Sequence, residues 1–244
     1  MRARLDRLLS NLGIAGLGTR SEARSAIREG RVRVDGRVEC APSAYIESET
    51  ALVTLDGRTL SLAPAPAVMM NKPAGVLTAA RDASRKTVAD LLPDAWRARG
   101  LMPVGRLDMD TTGLLLFTDD GTFAHRILHP KRHLDKRYHA ILDAPIADAD
   151  VESFAAGMRL RDFQALPALL KRDPERADAA YVIIQEGKYH QVKRMFAARG
   201  REVCALRRLS IGPITIDPLL EPGACRALTA DEEAALRSAV GISL

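Results

Sequence analysis

The stretch Pro103–Gly121, PVGRLDMDTTGLLLFTDDG, decides how the rest of the chain is read. A glycine, a short charged turn, two threonines and a second glycine lead into the apolar run GLLLFT. That order predicts a loop held against the edge of a buried strand, with Arg106 and Asp108 flanking Leu107 in one turn. An aspartate beside an arginine stays ionised, because a nearby cation favours the charged form. An ionised carboxylate suits a nucleophile better than a proton donor. The plain alternative is an aspartate that caps the turn through its own backbone amides, and spacing alone leans that way.

Working outward, strand and helix patterns alternate on both sides of this loop. VMMNKP at 68–73, KRYHAILDA at 136–144, AAYVIIQE at 179–186 and EVCALRRLSI at 202–211 read as strands. DGTFAHRIL reads as a helix, YHQVKRMFAARG as a helix closing on Gly200, and Thr229–Glu232 as the capping box of a last helix. Residues 67–244 are therefore expected to form an α+β domain on a mixed, largely antiparallel sheet. SLAPAP, at 61–66, is small and Pro-rich, so 62–66 reads as a semi-rigid linker. Residues 1–61 make a separate module. Leu5, Leu8, Leu9, Leu12 and Ile14 form the stripe of a helix over 4–17, ended by Gly16 and Gly18. Thr19 or Ser21 caps a second helix that stops at Gly30. A strand, Arg31–Val34, turns at Asp35-Gly36, and a further hairpin turns at Asp56-Gly57.

Charge narrows the partner. The 244 residues carry a net charge of +5, with a pI near 9.3. Residues 1–37 hold nine Arg against Asp6, Glu22, Glu29 and Asp35, and the rest of the chain is neutral overall. Within that remainder, residues 185–208 hold seven Lys/Arg against Glu186 and Glu202, and residues 125–139 hold five against Asp135. One such run is as readily a solvated helix face. Three point to a polyanion, because neutralised phosphates release condensed counterions. With 47% hydrophobic and 27% charged residues the composition is that of a soluble folded protein. No stretch has the ~20 apolar residues of a membrane span. Arg4, Asp6 and Arg7 stand where a signal peptide needs its apolar core. The localisation expected is cytoplasmic. Cys40, Cys204 and Cys225 show neither disulfide nor zinc spacing and read as reduced packing thiols.

Two other chemistries fit fragments of the chain. Asp108-Met-Asp110-Thr111 matches the Asp-x-Asp-x-Thr signature of haloacid-dehalogenase-type phosphatases. That fold needs the motif straight after a hydrophobic strand opening a doubly wound sheet, and PVGRL is too short and polar. His125, His129 and His133, four apart, suggest a metal, but Pro130 breaks their helical register, so no metal site is expected. Trp96 reads as a packing residue. Taken alone, Tyr138 is a half-buried strand residue, and Lys193 and Arg194 are surface charge on a helix.

GRLDMDTTGLLLFTDDG resembles the catalytic motif of RNA pseudouridine synthases of the ribosomal small-subunit type. Three more segments agree in the order of that family. They are Asn71-Lys72-Pro73-Ala74-Gly75, Lys136-Arg137-Tyr138, and Glu186 to Ala198, EGKYHQVKRMFAA, whose wording is most like the 16S rRNA branch. Residues 1–60 resemble an S4 (alpha-L) RNA-binding domain through RLD at 4–6, the SEAR helix and the VRVDG hairpin. The resemblance covers nearly the whole chain. It implies that Asp108 is the catalytic aspartate, that Tyr138 lies against the target uracil and assists proton removal at C5, and that Lys193 pairs with the aspartate. Arg106 would contact RNA where the uridine has left the stack. Lys72, His190 and Arg194 would also face RNA. Charge and helix placement, rather than the family, add Arg20, Arg24, Arg28 and Arg31 on the first domain. The reaction breaks the C1′–N1 bond, turns the uracil and rejoins it through C5. No external atom enters and no redox change occurs, so no cofactor is implied. The implied partner is ribosomal RNA, 16S with a uridine-516-type site, either free or in a 30S assembly intermediate. The leaning is to a monomer. The alternative from another class is a non-catalytic S4-type ribosome-assembly protein, against which no matched motif position is replaced by an inert residue.

Overall fold

The structure is a computed structural model, described for residues 2–10, 12, 17, 19–48, 50–60, 62, 66–129 and 132–242. The chain divides into two compact units. The first comprises Met1–Ala65 with Leu92–Met102, and the second Pro66–Leu91 with Pro103–Leu244. The segment Leu92–Met102 thus belongs with the first unit, although the sequence reading sets one boundary at 62–66.

In the first unit the helix expected over 4–17 is helical at Leu5–Ser10. Ile14, Gly16 and Gly18 lie outside the described residues, as do residue 61, residues 63–65 of the expected linker, and Pro130. The second helix is Arg20–Arg28, and Thr19 is its cap. The Thr19 hydroxyl accepts from the Glu22 amide, and the Glu22 carboxylate accepts from the Thr19 amide. Strands Arg37–Val38, Val32–Val34, Val53–Leu55 and Arg58–Leu60 pair antiparallel in that order. Both Asp-Gly turns have positive φ at each residue, 50° and 80°, as a two-residue hairpin with right-handed strand twist requires. Leu5, Leu9, Ile27, Val32, Val53 and Leu62 close a core between helices and sheet, so Leu62 belongs to that core rather than to a linker.

The second unit is built on one sheet. Its strands run Leu169–Arg172, Ala179–Ile184, Lys136–Leu142, Val203–Ile211, Thr112–Thr118, Val68–Lys72 and Cys225–Ala227 across the row. Every pairing in that row is antiparallel except Val203–Ile211 with Thr112–Thr118. Met69, Leu114 and Leu116 pack against Phe123 and Ile127 of helix Gly121–Leu128 and Leu236 of helix Ala230–Ala239. Each such side chain contributes roughly 1.5–3 kcal/mol when fully buried. Thr229 caps the second of these helices as its sequence predicts, and Asp120 caps the first. Helix Asp148–Ala156 has no counterpart in the sequence reading.

Two packing expectations fail. Cys40 and Cys204 are exposed, and only Cys225 is partly covered. Trp96 is half-buried on helix Asp94–Ala98, none of whose residues is buried.

Candidate active site

The loop from Arg106 to Thr111 is held from behind by the strand Val68–Lys72 and the turn after it. Lys72 is fully buried, and its ammonium donates to the carbonyls of Pro73 at 3.0 Å, Met109 at 3.2 Å and Thr111 at 3.0 Å. The Gly75 amide donates to Met109 as well, at 2.8 Å. The Thr78 hydroxyl donates to the Leu107 carbonyl at 2.7 Å and accepts from the Leu107 amide at 3.2 Å. Both neighbours of Leu107, Arg106 and Asp108, are thereby fixed in direction. Burial pushes the Lys72 ammonium down to about 8, against the pull of Asp110 and Asp108. The expectation that Lys72 faces RNA is therefore corrected: a side chain with no exposed surface holds the loop instead. Thr78 was missed, because a threonine in GVLTAA carries no motif signal.

Asp108 leaves that loop half-buried, with 27% of its side chain exposed. His190 Nε2 lies 3.3 Å from its Oδ1 and Lys193 Nζ 3.7 Å from its Oδ2. Lys193 is closer to Asp110, at 2.5 and 2.6 Å from its two oxygens. That bond holds the Asp110 carboxyl below the usual carboxylate range. The pairing expected of Lys193 is thus shared, and weighted to the other aspartate. Among the described residues no bond joins Arg106 to Asp108. The nitrogen groups beside Asp108, the Lys193 ammonium and the His190 ring, come from the helix Gln191–Ala197 and its cap. Asp108, Arg106, Thr111, Tyr138, Ile184, His190, Lys193 and Leu206 line one narrow cleft with a cavity volume of about 60 Å³.

Tyr138 reaches the cleft through a strand irregularity. Along Lys136–Leu142, Tyr138, Ala140 and Leu142 face inward. Opposite, Arg137 pairs with Ser210 but Tyr138 with Arg208, so Leu209 is the extra residue of a bulge. Bulges beside a site re-aim a side chain. Tyr138 is only 7% exposed and forms part of the cleft wall.

The fourth motif forms a braced turn before its helix. Buried Gln191 accepts from the Lys188 amide at 3.1 Å and donates to Glu186 at 2.6 Å, and Glu186 accepts from the Leu166 amide at 2.8 Å. The helix starts at Gln191, because His190 is left-handed with φ 49° and ψ 31°. That conformation costs a non-glycine residue of order 1–3 kcal/mol and persists only where surroundings impose it. Arg194 was expected to face RNA. Its guanidinium instead pairs with Asp162 and lies 4.8 Å from the centre of the Phe163 ring, so its charge is largely spent within the fold.

Comparison with known proteins agrees with this layout. Residues 66–198 match the family model for RNA pseudouridylate synthase, and residues 3–39 match the S4 domain. An RNA pseudouridine synthase of Bacillus subtilis is 40% identical, covering 94% of this chain and 96% of its own length. The ribosomal small subunit pseudouridine synthase A of Escherichia coli is 41% identical, covering 96% and 99%. That of Vibrio cholerae is 41% identical, covering 96% and 99%. A pseudouridylate synthase crystal structure, 36% identical, superposes with a TM-score of 0.67 over 96% of this chain and 99% of that one. The chain belongs to the RNA pseudouridine synthase family.

As an RNA pseudouridine synthase it carries an S4 domain at its front and an isomerase domain behind. The phosphatase reading falls on topology: Asp108–Thr111 precedes its strand, Thr112–Thr118, in a largely antiparallel sheet. In the S4 domain, Arg20 and Arg24 each donate through Nε to Asp6, which is fully buried, and Arg4 donates through Nε and Nη2. Burial alone would raise the Asp6 carboxyl, but the three guanidinium groups outweigh it and hold it well below the usual carboxylate range. About half of the Arg20 side chain and 42% of that of Arg24 still meet solvent. Arg31 makes an exposed pair with Asp56 at 2.7 Å, and Arg28 is exposed. No described helix is long and apolar enough to cross a membrane.

Proposed function

We propose that this synthase converts one uridine of 16S ribosomal RNA, a uridine-516-type site, to pseudouridine, with Asp108 as the reacting carboxylate. The observation that carries the reading is the position of the Asp108 oxygens in a cleft walled by Tyr138, with His190 at 3.3 Å and Lys193 at 3.7 Å. The 16S target is supported by the names of the Escherichia coli and Vibrio cholerae relatives at 41% identity over nearly full length.

In this mechanism the uridine leaves its stack, at a cost of a few kcal/mol, and enters the cleft. Tyr138 offers a ring face to the base, and base–aromatic stacking returns ~1–3 kcal/mol. The Asp108 carboxylate attacks the ribose C1′ or the base at C6, or stabilises the sugar after proton loss. The C1′–N1 bond breaks, the uracil turns and C5 bonds to C1′; any bond to Asp108 breaks and returns the carboxylate, the C5 proton departs to a base with Tyr138 assisting, and N1 takes up one proton in its place. Atoms and electrons balance without an external reagent. Lys193 sets a positive charge 3.7 Å from the carboxylate, and Lys72 and Thr78 keep the loop in register. Arg106, at the cleft mouth, contacts the RNA gap left by the uridine. The S4 arginines Arg20, Arg24, Arg28 and Arg31 add backbone affinity. The enzyme works in the cytoplasm, on free RNA or a 30S assembly intermediate.

Asp108→Asn keeps the side-chain shape and removes its charge. Pseudouridine mapping in ribosomal RNA should show modification lost at one 16S site while RNA binding survives. Unchanged modification would refute the assignment of Asp108. Asp110→Asn should leave substantial activity, since Asp110 serves Lys193 rather than the substrate.

A further inference from the structure

We infer that Tyr189, stacked on His190, is a subsite for the nucleobase adjoining the extruded uridine. The inference rests on the reading of Asp108 as the reacting carboxylate and adds a binding site to it. The rings of Tyr189 and His190 lie 3.9 Å apart at 17°, nearly parallel. Successive residues of an extended chain point to opposite sides. The left-handed backbone at His190 is what folds the second ring over the first. His190 then reaches Asp108 with Nε2, at 3.3 Å. A ring stack therefore begins at the reacting carboxylate and ends at Tyr189, which keeps 74% of its surface in water.

The backbone under this ring is fixed. Arg194 donates to the Tyr189 carbonyl at 3.4 Å, Gln191 ties the Lys188 amide, and the Lys188 ammonium donates to the Gln164 carbonyl at 3.1 Å. A platform already held in place loses little freedom when a ligand docks on it. Extruding a base strips its neighbour of one stacking partner, and an exposed aromatic face supplies a replacement whatever the base. Tyr138 cannot serve there, because it is buried in the wall of the cleft.

The test uses the full chain and a 16S RNA fragment that the wild type modifies, with 2-aminopurine placed on either side of the target uridine in turn. Wild type should quench the probe on one side. Tyr189→Ala should not, and should bind the fragment about 5- to 150-fold more weakly, the span of one base–aromatic stack. Tyr189→Phe should restore both quenching and affinity. With the flanking base removed from the RNA, wild type and Tyr189→Ala should bind alike. Probes unquenched on both sides, or full affinity in Tyr189→Ala, would overturn the subsite. If the wild type makes pseudouridine in those same samples, the functional reading stands while the subsite falls. If it makes none on any ribosomal RNA, the functional reading itself fails.

Discussion

Replacing Gly113 by alanine should loosen the active-site loop and unfold the second unit early. Gly113 has φ +98°, a conformation L side chains rarely adopt, and a Cβ there would sit 2.2 Å from the Arg208 carbonyl oxygen and 2.9 Å from its nitrogen. Carbon and oxygen tolerate contacts of about 3.3 Å, so the strands Thr112–Thr118 and Val203–Ile211 must part by about 1 Å. The neighbour is backbone and cannot swing aside. This is the parallel pair of the row, in register at Arg207 with Thr112 and Arg208 with Gly113. Buried Arg208 also donates to the Leu114 carbonyl at 2.8 Å across it. Backbone strain of ~1–3 kcal/mol and a weakened charged hydrogen bond of ~1.5–3 kcal/mol together give a loss on the order of 3–5 kcal/mol. Gly121 is the control. It opens a helix, has nothing within 4 Å of its Cβ position, and its alanine variant should gain ~0.4–1 kcal/mol. Urea unfolding followed by circular dichroism reads both. If Gly113→Ala melts at the urea concentration of the wild type, the close strand approach inferred here is wrong.

Other expected outcomes concern the charges. Lys72 has a folded value near 8 against 10.5 when free, so the folded state binds fewer protons between those values. Its charge opposes folding fully below about pH 8, and that penalty fades as pH rises to 10.5. Relative to Lys72→Met, wild type should therefore gain on the order of 3 kcal/mol across that window; a flat difference in urea unfolding would contradict the burial. Asp6 is held below its free value of 3.8, so its contribution is present above that pH and lost as acid titrates it. Asp6→Asn should cost about 2–3 kcal/mol at pH 7, with a deficit that shrinks in acid. Changing Arg28 and Arg31 to alanine should flatten the salt dependence of RNA binding by roughly 1.5 in log–log slope, without disturbing Asp6; an unaltered slope moves the RNA footprint elsewhere.

The parts of this molecule that sequence exposes are those governed by local rules. The capping box at Thr229, the two Asp-Gly turns and the strand GLLLFT appear where their patterns put them, and of the two candidate caps of the second helix, Thr19 and Ser21, Thr19 is the cap. What stays hidden depends on long-range convergence. Lys72 ends a run of four apolar or amide side chains and reads as a charge leaving the core, yet its ammonium meets two carbonyls from distant residues, Met109 and Thr111, as well as that of Pro73. Helix Asp148–Ala156 shows no apolar stripe, because only Asp150 and Phe154 are buried. Asp150 is held by Arg199 at 3.0 Å and Arg201 at 3.3 Å, an ionic anchor that hydrophobic periodicity does not register. The turn at His190 is concealed for a related reason: a left-handed histidine is set by the bonds around Gln191, and no pattern of residue types announces it.

With Asp108 as the proposed reacting carboxylate, the unequal sharing of Lys193 leaves its oxygens open to carbon. A cation bonded to both oxygens of Asp108 would keep it charged but occupy the lone pairs that must reach carbon. Here Asp110 takes the close contacts, 2.5 and 2.6 Å, and leaves Asp108 with one at 3.7 Å. At that distance the Coulomb attraction is still felt while no hydrogen bond has to break before attack. His190, at 3.3 Å from the other oxygen, adds positive charge only when protonated. Lys72 stands behind both carboxylates, buried against their loop. Asp110 thus takes the lysine's close bonds, an acceptor role that the side-chain oxygen of an asparagine can also fill, which is why Asp110→Asn should keep substantial activity.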